Sequence, residues 1–279
     1  MKKLVILIAM VISINLTGCS TKNENDNKEL KNEVVQTTPI ENEVDYSDNF
    51  NGINGCAVFF SPDDNTYNIY NKDLLNEQIP PYSTFKIITS LMGLSQNVVT
   101  SADSKLGYDG TIHWNEKWNK DITFKEAFQE SCVWYYEKIM DSLDKEYVQN
   151  TLTDLKYGNS DISAWNEEGH NSFWLSSSLK ISPLEQVKVL ETIFEGKSSF
   201  EPKDVDLVKD FMLVESNENY SVYGKTGSAK HTNAWFTGFI EKNDKRTYLA
   251  VRIDDESQKL AGSSAKNIAL NIIKQHYNI

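Results

Sequence analysis

A serine and a lysine three residues apart, behind a pair of prolines, constrain this chain more than any other feature. Pro80 and Pro81 precede Ser83 and Lys86, and a mostly apolar run over residues 87–92 follows. Proline favours the first turn of a helix, so the sequence predicts a helix that begins here. Residues three apart share one helix face, which would place the Lys86 amine beside the Ser83 hydroxyl. A hydroxyl becomes a nucleophile when a neighbouring base takes its proton, and the free N–H groups of a helix start favour a developing oxyanion.

The first residues have the pattern of an export signal. Lys2 and Lys3 form a basic start, and the apolar run 4–16 is too short to span a bilayer comfortably. The run ends at Leu-Thr-Gly before Cys19, which resembles the lipobox of bacterial lipoproteins. We therefore expect a signal peptide over 1–18 and an exported bacterial lipoprotein, held at the extracytoplasmic face of the cell membrane by a lipid on Cys19. The alternatives are a plain secretory signal and a short membrane anchor.

Composition divides the remainder of the chain into a tether and one domain. Residues 19–48 are rich in Asn, Glu, Lys and Thr and poor in large apolar residues, which predicts a flexible lipid-anchored tether. Residues 49–279 suit one globular domain. The formal net charge of −12 argues against nucleic acid as a partner, because phosphate binding needs a basic face. The oligomeric state stays open.

The cysteines and histidines do not predict a metal site. Cys56 and Cys132 either pair in an oxidising compartment or remain separate buried thiols, and we favour the thiols because the sequence gives no distance between them. Neither cysteine has partners at zinc-ligand spacing. The histidines are scattered and are interpreted as surface or packing residues: His113, His170, His231 and His276.

The order of apolar patterns predicts an α+β fold. Two strands come first, a helical middle follows, and three strands and a helix close the chain. This order indicates a central antiparallel sheet flanked by helices, with an inserted helical lobe. The predicted strands are 55–60, 66–70, 220–223, 234–241 and 248–253, and the predicted helices after the one at Ser83 are 123–143, 181–194 and 265–277, with Thr123 and Glu126 as a capping box.

Four later segments could complete a site around Ser83, although each also has an ordinary interpretation. A lysine, a hydroxyl and a glycine on an edge strand can hold a substrate carboxylate and carbonyl, and a second serine can relay a proton. The ordinary interpretations are a strand-end glycine, a serine on the middle helix, a plain turn and a core anchor. The segments are Lys225-Thr226-Gly227, Ser131-Cys132-Val133, Tyr157-Gly158-Asn159 and Phe173-Trp174-Leu175.

Taken together and in this order, the segments resemble those of class D serine β-lactamases, the oxacillinase family. The stretch Ala234-Trp235-Phe236-Thr237-Gly238 also matches the family pattern, and the resemblance covers the chain from residue 50 or so to the C-terminus. It implies the serine β-lactamase and penicillin-binding transpeptidase fold. It also implies hydrolysis of the β-lactam amide bond of penicillin-type antibiotics, and hence resistance to them.

The resemblance further implies a modified base. In the family the motif lysine is carboxylated by carbon dioxide, so we expect N6-carboxylation of Lys86, with bicarbonate as its source and no other cofactor. That reaction needs a neutral amine, and burial lowers the pKa of a lysine from its usual value of about 10.4. Val133, Trp174 and Leu175 are expected to form an apolar pocket around Lys86, with the Trp174 indole N–H donating to the carbamate.

The remaining roles follow from the same resemblance. Ser83 is expected to attack the β-lactam carbonyl while the backbone N–H groups of Ser83 and Ser228 hold the oxyanion. Ser131, near Lys225, would pass a proton to the ring nitrogen. The other expected substrate-binding residues are Thr226 and Gly227.

One element of the family pattern is missing. The family usually carries an arginine after the last strand, where it binds the substrate carboxylate, but residues 259–263 read Lys-Leu-Ala-Gly-Ser. Arg252 on the preceding strand is a candidate substitute. Otherwise Lys225, Thr226 and Ser228 would take over that contact, and loss of a bidentate guanidinium should weaken ground-state binding more than chemistry.

Three other functions stay open at this point. A β-lactam sensor domain would share the fold and the Ser83 element but would remain acylated. Against it, such sensors sit on polytopic membrane chains with a protease domain, whereas we expect only a lipid anchor here, and Val133 is expected to keep the Lys86 pocket apolar, as a hydrolase requires. A penicillin-binding transpeptidase or carboxypeptidase would also form a stable acyl-enzyme. A lipid-anchored binding protein with accidental motifs is the third alternative.

Overall fold

A computed structural model describes residues 38–167, 169–229, 232–254 and 261–277. The strands are β1 (Ile40–Glu43), β2 (Gly55–Ser61), β3 (Thr66–Tyr70), β4 (Leu213–Ser216), β5 (Ser221–Ala229), β6 (Asn233–Lys242) and β7 (Lys245–Asp254). The α-helices are α1 (Ser47–Phe50), α2 (Lys86–Ser95), α3 (Phe124–Gln129), α4 (Val133–Asp141), α5 (Lys145–Asp154), α6 (Phe173–Ser176), α7 (Pro183–Phe194), α8 (Pro202–Phe211) and α9 (Gly262–His276). Short 3₁₀ helices cover Lys72–Leu74, Tyr82–Phe85 and Glu116–Trp118.

The strands form one sheet in the order β1-β3-β2-β7-β6-β5-β4. Every neighbouring pair is antiparallel except β1 and β3, which run parallel at one edge. The predicted α+β class and antiparallel sheet are therefore confirmed, with one parallel strand added. β5 lies one strand in from the other edge, and its Lys225 pairs with Thr237 of β6.

Each face of the sheet is covered by its own set of helices. Side chains alternate along a strand, so Phe59 of β2 faces one hydrophobic core while its neighbours Val58 and Phe60 face the other. Helices α1 and α9 cover the first core. The second core is covered by α7 and the other helices that lie between β3 and β4 in the chain. These inserted helices form the predicted lobe.

Capping residues fix where two of the helices begin. Thr123 and Glu126 form the predicted capping box at the start of α3. Ser182 and Glu185 form another at α7, where proline occupies the first turn as expected. These local signals make both helix starts predictable.

The predicted helix 123–143 is broken into α3 and α4. Ser131 lies between them with φ of +55°, a left-handed conformation that ends α3. The break is held by the Trp118 indole N–H, which donates to the Glu130 carbonyl at 3.0 Å. The prediction that Ser131 lies on the middle helix is therefore wrong. Ser131 lies in the break, and Cys132 directly precedes α4.

The domain begins before residue 49, earlier than predicted. Residues 40–43 form β1, whose backbone pairs with β3 and so joins the sheet. Tyr46 is buried and packs edge-on against Phe59, with ring centroids 5.9 Å apart.

The predicted signal peptide and Cys19 lie outside the described residues. In the part of the chain that the structure does describe, no helix combines the length and apolar character needed to cross a membrane.

Candidate active site

The Ser83 hydroxyl and the Lys86 amine meet as predicted. The 3₁₀ turn Tyr82–Phe85 leads directly into α2, and a 3₁₀ turn aligns side chains three residues apart. Lys86 Nζ lies 2.8 Å from Ser83 Oγ, within hydrogen-bond reach. Tyr82, immediately before the serine, has φ of +50°, a conformation that costs energy for a residue with a side chain. The turn therefore has to be held by its surroundings.

Contacts from other elements hold this turn. The Thr84 hydroxyl donates to the Pro81 carbonyl at 2.7 Å and accepts from the Gln186 side chain of α7 at 2.9 Å. The Trp235 indole of β6 donates to the Pro80 carbonyl at 3.1 Å. Helix α7 and strand β6 thus fix the backbone on both sides of the nucleophile.

The Lys86 amine is buried among aromatic rings. Its side chain is fully buried, and Nζ lies 4.5 Å from the ring centroid of Trp174 and 5.3 Å from that of Tyr136. Burial holds the pKa of Lys86 well below its usual 10.5, and the nearby charge of Lys225 lowers it further. A neutral amine at this distance can accept the Ser83 proton, which a protonated lysine cannot.

The Trp174 indole N–H has a partner that the sequence did not indicate. It donates to the backbone carbonyl of Asn171 at 3.1 Å, whereas it was predicted to donate to a carbamate on Lys86. The ring still lies beside the amine as expected. Trp174 therefore contributes its apolar face to the Lys86 pocket and anchors its polar edge on the preceding backbone.

Ser131 and Lys225 are brought together from the lobe and the sheet. Lys225 Nζ donates to Ser131 Oγ at 3.0 Å and to the Thr226 carbonyl at 3.1 Å. Burial lowers the pKa of Lys225 to about 7. An amine with this pKa can both give and accept a proton near neutral pH, and the Ser131 hydroxyl can carry it.

Gly227 allows β5 to lie against the nucleophile turn. A Cβ at this position would stand 2.8 Å from the Pro81 carbonyl oxygen and 3.2 Å from the Ser83 nitrogen. Real Cβ atoms essentially never come closer than 3.0 Å to a heavy atom outside their own residue and its two chain neighbours. The absence of a side chain therefore sets the approach of the strand to Ser83.

The predicted site residues surround one cleft of about 480 Å³. Lys86, Trp174 and Lys225 are buried behind its wall. The predicted residues that line it directly are Ser83, Ser131, Val133, Leu175, Thr226, Gly227 and Ser228. The structure thus brings the predicted catalytic residues, and all the predicted substrate-binding residues except the candidate Arg252, into or immediately behind one opening.

Sequence reasoning missed the other residues that line the cleft. They are His113, Trp114, Asn115, Trp118, Glu130, Trp134, Glu137, Gly262 and Ser263. Residues 113–118 show no periodicity that could have assigned them. Glu137 had a signal, since it follows Val133 by four residues and therefore shares its face of α4.

Arg252 does not reach the cleft. Its buried side chain pairs with Asp254 at 2.8 Å and with Glu77 at 3.2 Å. The suggestion that it replaces the missing carboxylate-binding arginine is therefore wrong. Gly262 and Ser263, from the stretch where that arginine was expected, do line the cleft, while residues 255–260 lie outside the described part.

Cys56 and Cys132 are separate, buried free thiols, as favoured. Burial raises the pKa of Cys56 to about 12 and that of Cys132 to about 11, so both remain protonated.

The turn predicted at Tyr157 is also confirmed. Gly158 has φ of +51°, and the Tyr157 ring packs edge-on against Phe85, 5.3 Å away, behind the nucleophile turn.

Comparison with known proteins gives one family. Residues 26–274 match the family of penicillin-binding protein transpeptidase domains. A Bacillus subtilis protein described as a probable β-lactamase, YbxI, is 34% identical over 235 residues, covering 84% of this chain and 85% of its own length. A class D β-lactamase structure from Bacillus subtilis superposes with a TM-score of 0.78 at 33% identity, covering 85% of this chain and 97% of that one.

Proteins described as regulatory are also similar to this chain. The Staphylococcus aureus regulatory protein BlaR1 is 31% identical over 273 residues. This chain spans 44% of that protein's length and 38% of the length of the Bacillus licheniformis BlaR1. The C-terminal domain of the Bacillus licheniformis BlaR penicillin-receptor superposes with a TM-score of 0.79 at 31% identity, covering 86% of this chain and 97% of that domain.

Proposed function

This chain belongs to the penicillin-binding transpeptidase-domain family, in its class D serine β-lactamase branch, and from that premise we propose that it hydrolyses the β-lactam amide bond of penicillin-type antibiotics. The observation that carries the proposal is the fully buried Lys86 amine, 2.8 Å from the Ser83 hydroxyl beside an open cleft. The expected consequence for the cell is resistance to those antibiotics.

Acylation uses the groups that the cleft brings together. Ser83 Oγ bonds to the β-lactam carbonyl carbon while its proton passes to the base at Lys86. The backbone N–H groups of Ser83 and Ser228, two residues of the cleft wall, stabilise the oxyanion. When the C–N bond breaks, the ring nitrogen takes a proton from Lys225 through Ser131, which lie 3.0 Å apart.

The surroundings of Lys86 fit N6-carboxylation by carbon dioxide. Burial holds the pKa of the Lys86 amine well below its usual value, which favours the neutral form that this reaction requires, and the rings of Trp174 and Tyr136 exclude water from it. The carbamate supplies a carboxylate oxygen that can take the proton of Ser83 and, later, that of the hydrolytic water. No other cofactor and no metal are part of the proposal.

The substrate carboxylate has hydroxyl partners in place of an arginine. Thr226 and Ser228 line the cleft on β5, beside the ammonium of Lys225. Because neutral hydroxyls bind a carboxylate less tightly than a guanidinium fork does, we expect a raised KM with little loss in kcat.

The proposal also includes a cellular location for the protein. The basic start, the short apolar run and Cys19 support export of a bacterial protein and anchoring by a lipid on Cys19. This placement would put the cleft outside the cytoplasm, where β-lactams arrive.

A second candidate function is a β-lactam sensor that stays acylated. The similarity to the BlaR penicillin-receptor domain favours it. Val133 opposes it, because this apolar residue lines the cleft and would help to keep the surroundings of Lys86 apolar, as a base for deacylation needs. A penicillin-binding protein with a stable acyl-enzyme is the related alternative.

A time course separates these candidates. Purified protein is mixed with excess chromogenic β-lactam in bicarbonate buffer, next to the Ser83→Ala variant. Hydrolysis through many turnovers per protein, lost in the variant, supports the hydrolase. A burst of one equivalent, followed by a stable increase in protein mass, would replace the hydrolase with the sensor or penicillin-binding alternative.

A further inference from the structure

Asn171 uses all of its polar groups to hold the segment that carries Trp174. Its backbone N–H and its side-chain amide both donate to one Asp141 oxygen, at 2.8 and 3.0 Å. Its side-chain oxygen accepts from the Asn166 backbone at 2.8 Å, and its carbonyl accepts the Trp174 indole N–H at 3.1 Å. The residue is 4% exposed, so each of these bonds is costly to lose.

Helix α4 contacts this segment at two positions on one face. Asp141 follows Glu137 by four residues, and Glu137 follows Val133 by four, so the three side chains share that face. Glu137 lies 3.3 Å from His170, the neighbour of Asn171. Helix α4 lines the cleft with Val133 and Glu137, and through Asp141 it also binds the backbone N–H of Asn171, three residues before Trp174.

We propose that Asp141 and Glu137 form a clasp on α4 that positions Trp174 over the Lys86 amine. The chain of contacts runs from Asp141 through Asn171 to the Trp174 indole, whose ring centroid lies 4.5 Å from Lys86 Nζ. Asp141 is a positioning residue, since it acts on the base only through Asn171 and Trp174. The inference rests on the proposed function, because it assigns the clasp to the base of deacylation.

Asp141 is the residue on which the clasp can be tested cleanly. It lies one turn beyond Glu137, outside the set of described residues that line the cleft, so its replacement removes no substrate contact there. Asp141→Ala deletes the acceptor of both Asn171 bonds. Asp141→Asn keeps an oxygen that can accept them and removes only the charge. Asp154, an exposed residue at the end of α5, provides a control carboxylate through Asp154→Ala.

The experiment measures acylation and deacylation separately on the full-length protein. Intact-mass spectrometry after rapid mixing with benzylpenicillin gives the rate at which acyl-enzyme appears and the rate at which it decays. The bicarbonate concentration that gives half-maximal turnover is measured in parallel, and melting temperatures check that each variant is folded.

We expect Asp141→Ala to slow decay of the acyl-enzyme by about tenfold to 100-fold, as misplacement near the chemistry does, and to require more bicarbonate. Its acylation should fall much less, because an uncarboxylated, neutral Lys86 amine 2.8 Å from Ser83 Oγ can still accept the Ser83 proton, whereas deacylation depends on the carbamate. Asp141→Asn and Asp154→Ala should resemble wild type. A folded Asp141→Ala with wild-type decay, or with acylation and decay reduced equally, would overturn the clasp. So would an Asp141→Asn as impaired as the alanine variant. If wild-type turnover did not depend on bicarbonate, the carboxylated base would be refuted instead. The decay rates of the acyl-enzyme would then still test the clasp.

Discussion

Replacing Gly227 with alanine adds one methyl group where β5 meets the nucleophile turn. The new Cβ would stand 2.8 Å from the Pro81 carbonyl oxygen, short of an ordinary 3.4 Å contact by about 0.6 Å. The neighbour is backbone next to Tyr82, so it cannot swing aside as a side chain would. The strand and the Ser83 turn must therefore separate, which moves Ser228 away from Ser83 and opens the oxyanion site.

The expected cost of Gly227→Ala follows from that displacement. A shift of about 1 Å at reacting groups can cost roughly 100-fold, so we expect acylation to slow by about tenfold to 100-fold, or roughly 1.4 to 2.7 kcal/mol of transition-state stabilisation. Overpacking should also lower the free energy of unfolding by about 1–3 kcal/mol. Stopped-flow acylation with a chromogenic β-lactam and urea unfolding measure the two effects.

Gly93→Ala is the matched control for Gly227→Ala. Its Cβ would stand 2.9 Å from Cγ2 of Ile139 and 3.3 Å from a methyl group of Val99, both on side chains. Gly93 lies on α2 away from the cleft, so the control should lose stability and keep its acylation rate. Wild-type acylation by Gly227→Ala, or an equal loss in the control, would refute the argument from strand approach.

Three further predictions concern groups behind the cleft. Trp174→Ala should expose Lys86 and slow deacylation, with partial rescue by bicarbonate in turnover assays; normal turnover without added bicarbonate would contradict this. The folded pKa of Lys225, about 7, lies below its usual 10.5, so the unfolded chain binds more protons in that window and stability rises with pH across it. Lys225→Met should remove roughly 3–5 kcal/mol of that rise, measured by urea unfolding at pH 7 and pH 10, and an unchanged rise would contradict the burial argument. Arg252→Met should lower the free energy of unfolding by about 1–3 kcal/mol, because it breaks the pairs with Asp254 and Glu77, whose carboxylates remain partly exposed. Its KM for penicillins should not change, and a raised KM in the folded variant would return Arg252 to the substrate site.

The local parts of the site could be predicted because they depend on short sequence spacing. Ser83 and Lys86 share a face because they lie three residues apart in one helical segment, and Thr123 with Glu126 forms a capping box that marks a helix start. The apolar Lys86 pocket followed from the family resemblance.

The remaining parts depend on contacts between distant residues. The break at Ser131 carries no glycine or proline signal, and it is held by bonds from Trp118 to Glu130 and from Lys225 to Ser131. Residues 40–43 are exposed and, apart from Ile40, polar, and only pairing with β3 makes them a strand. The direction of Arg252 depends on which face of the sheet its side chain occupies, and both faces of β7 are buried, so sequence alone did not determine it.

The central claim is that Lys86, whose neutral amine is carboxylated to an anionic carbamate, is the base for hydrolysis through Ser83. It is tested most directly by ¹³C NMR of the protein in ¹³C-labelled bicarbonate, with Lys86→Ala as the control. The account predicts a carbamate carbon signal that is absent from the variant. In acid the signal and turnover should disappear together, and both should return when the pH is restored. A wild-type protein that hydrolyses a β-lactam through many turnovers without that signal would contradict it.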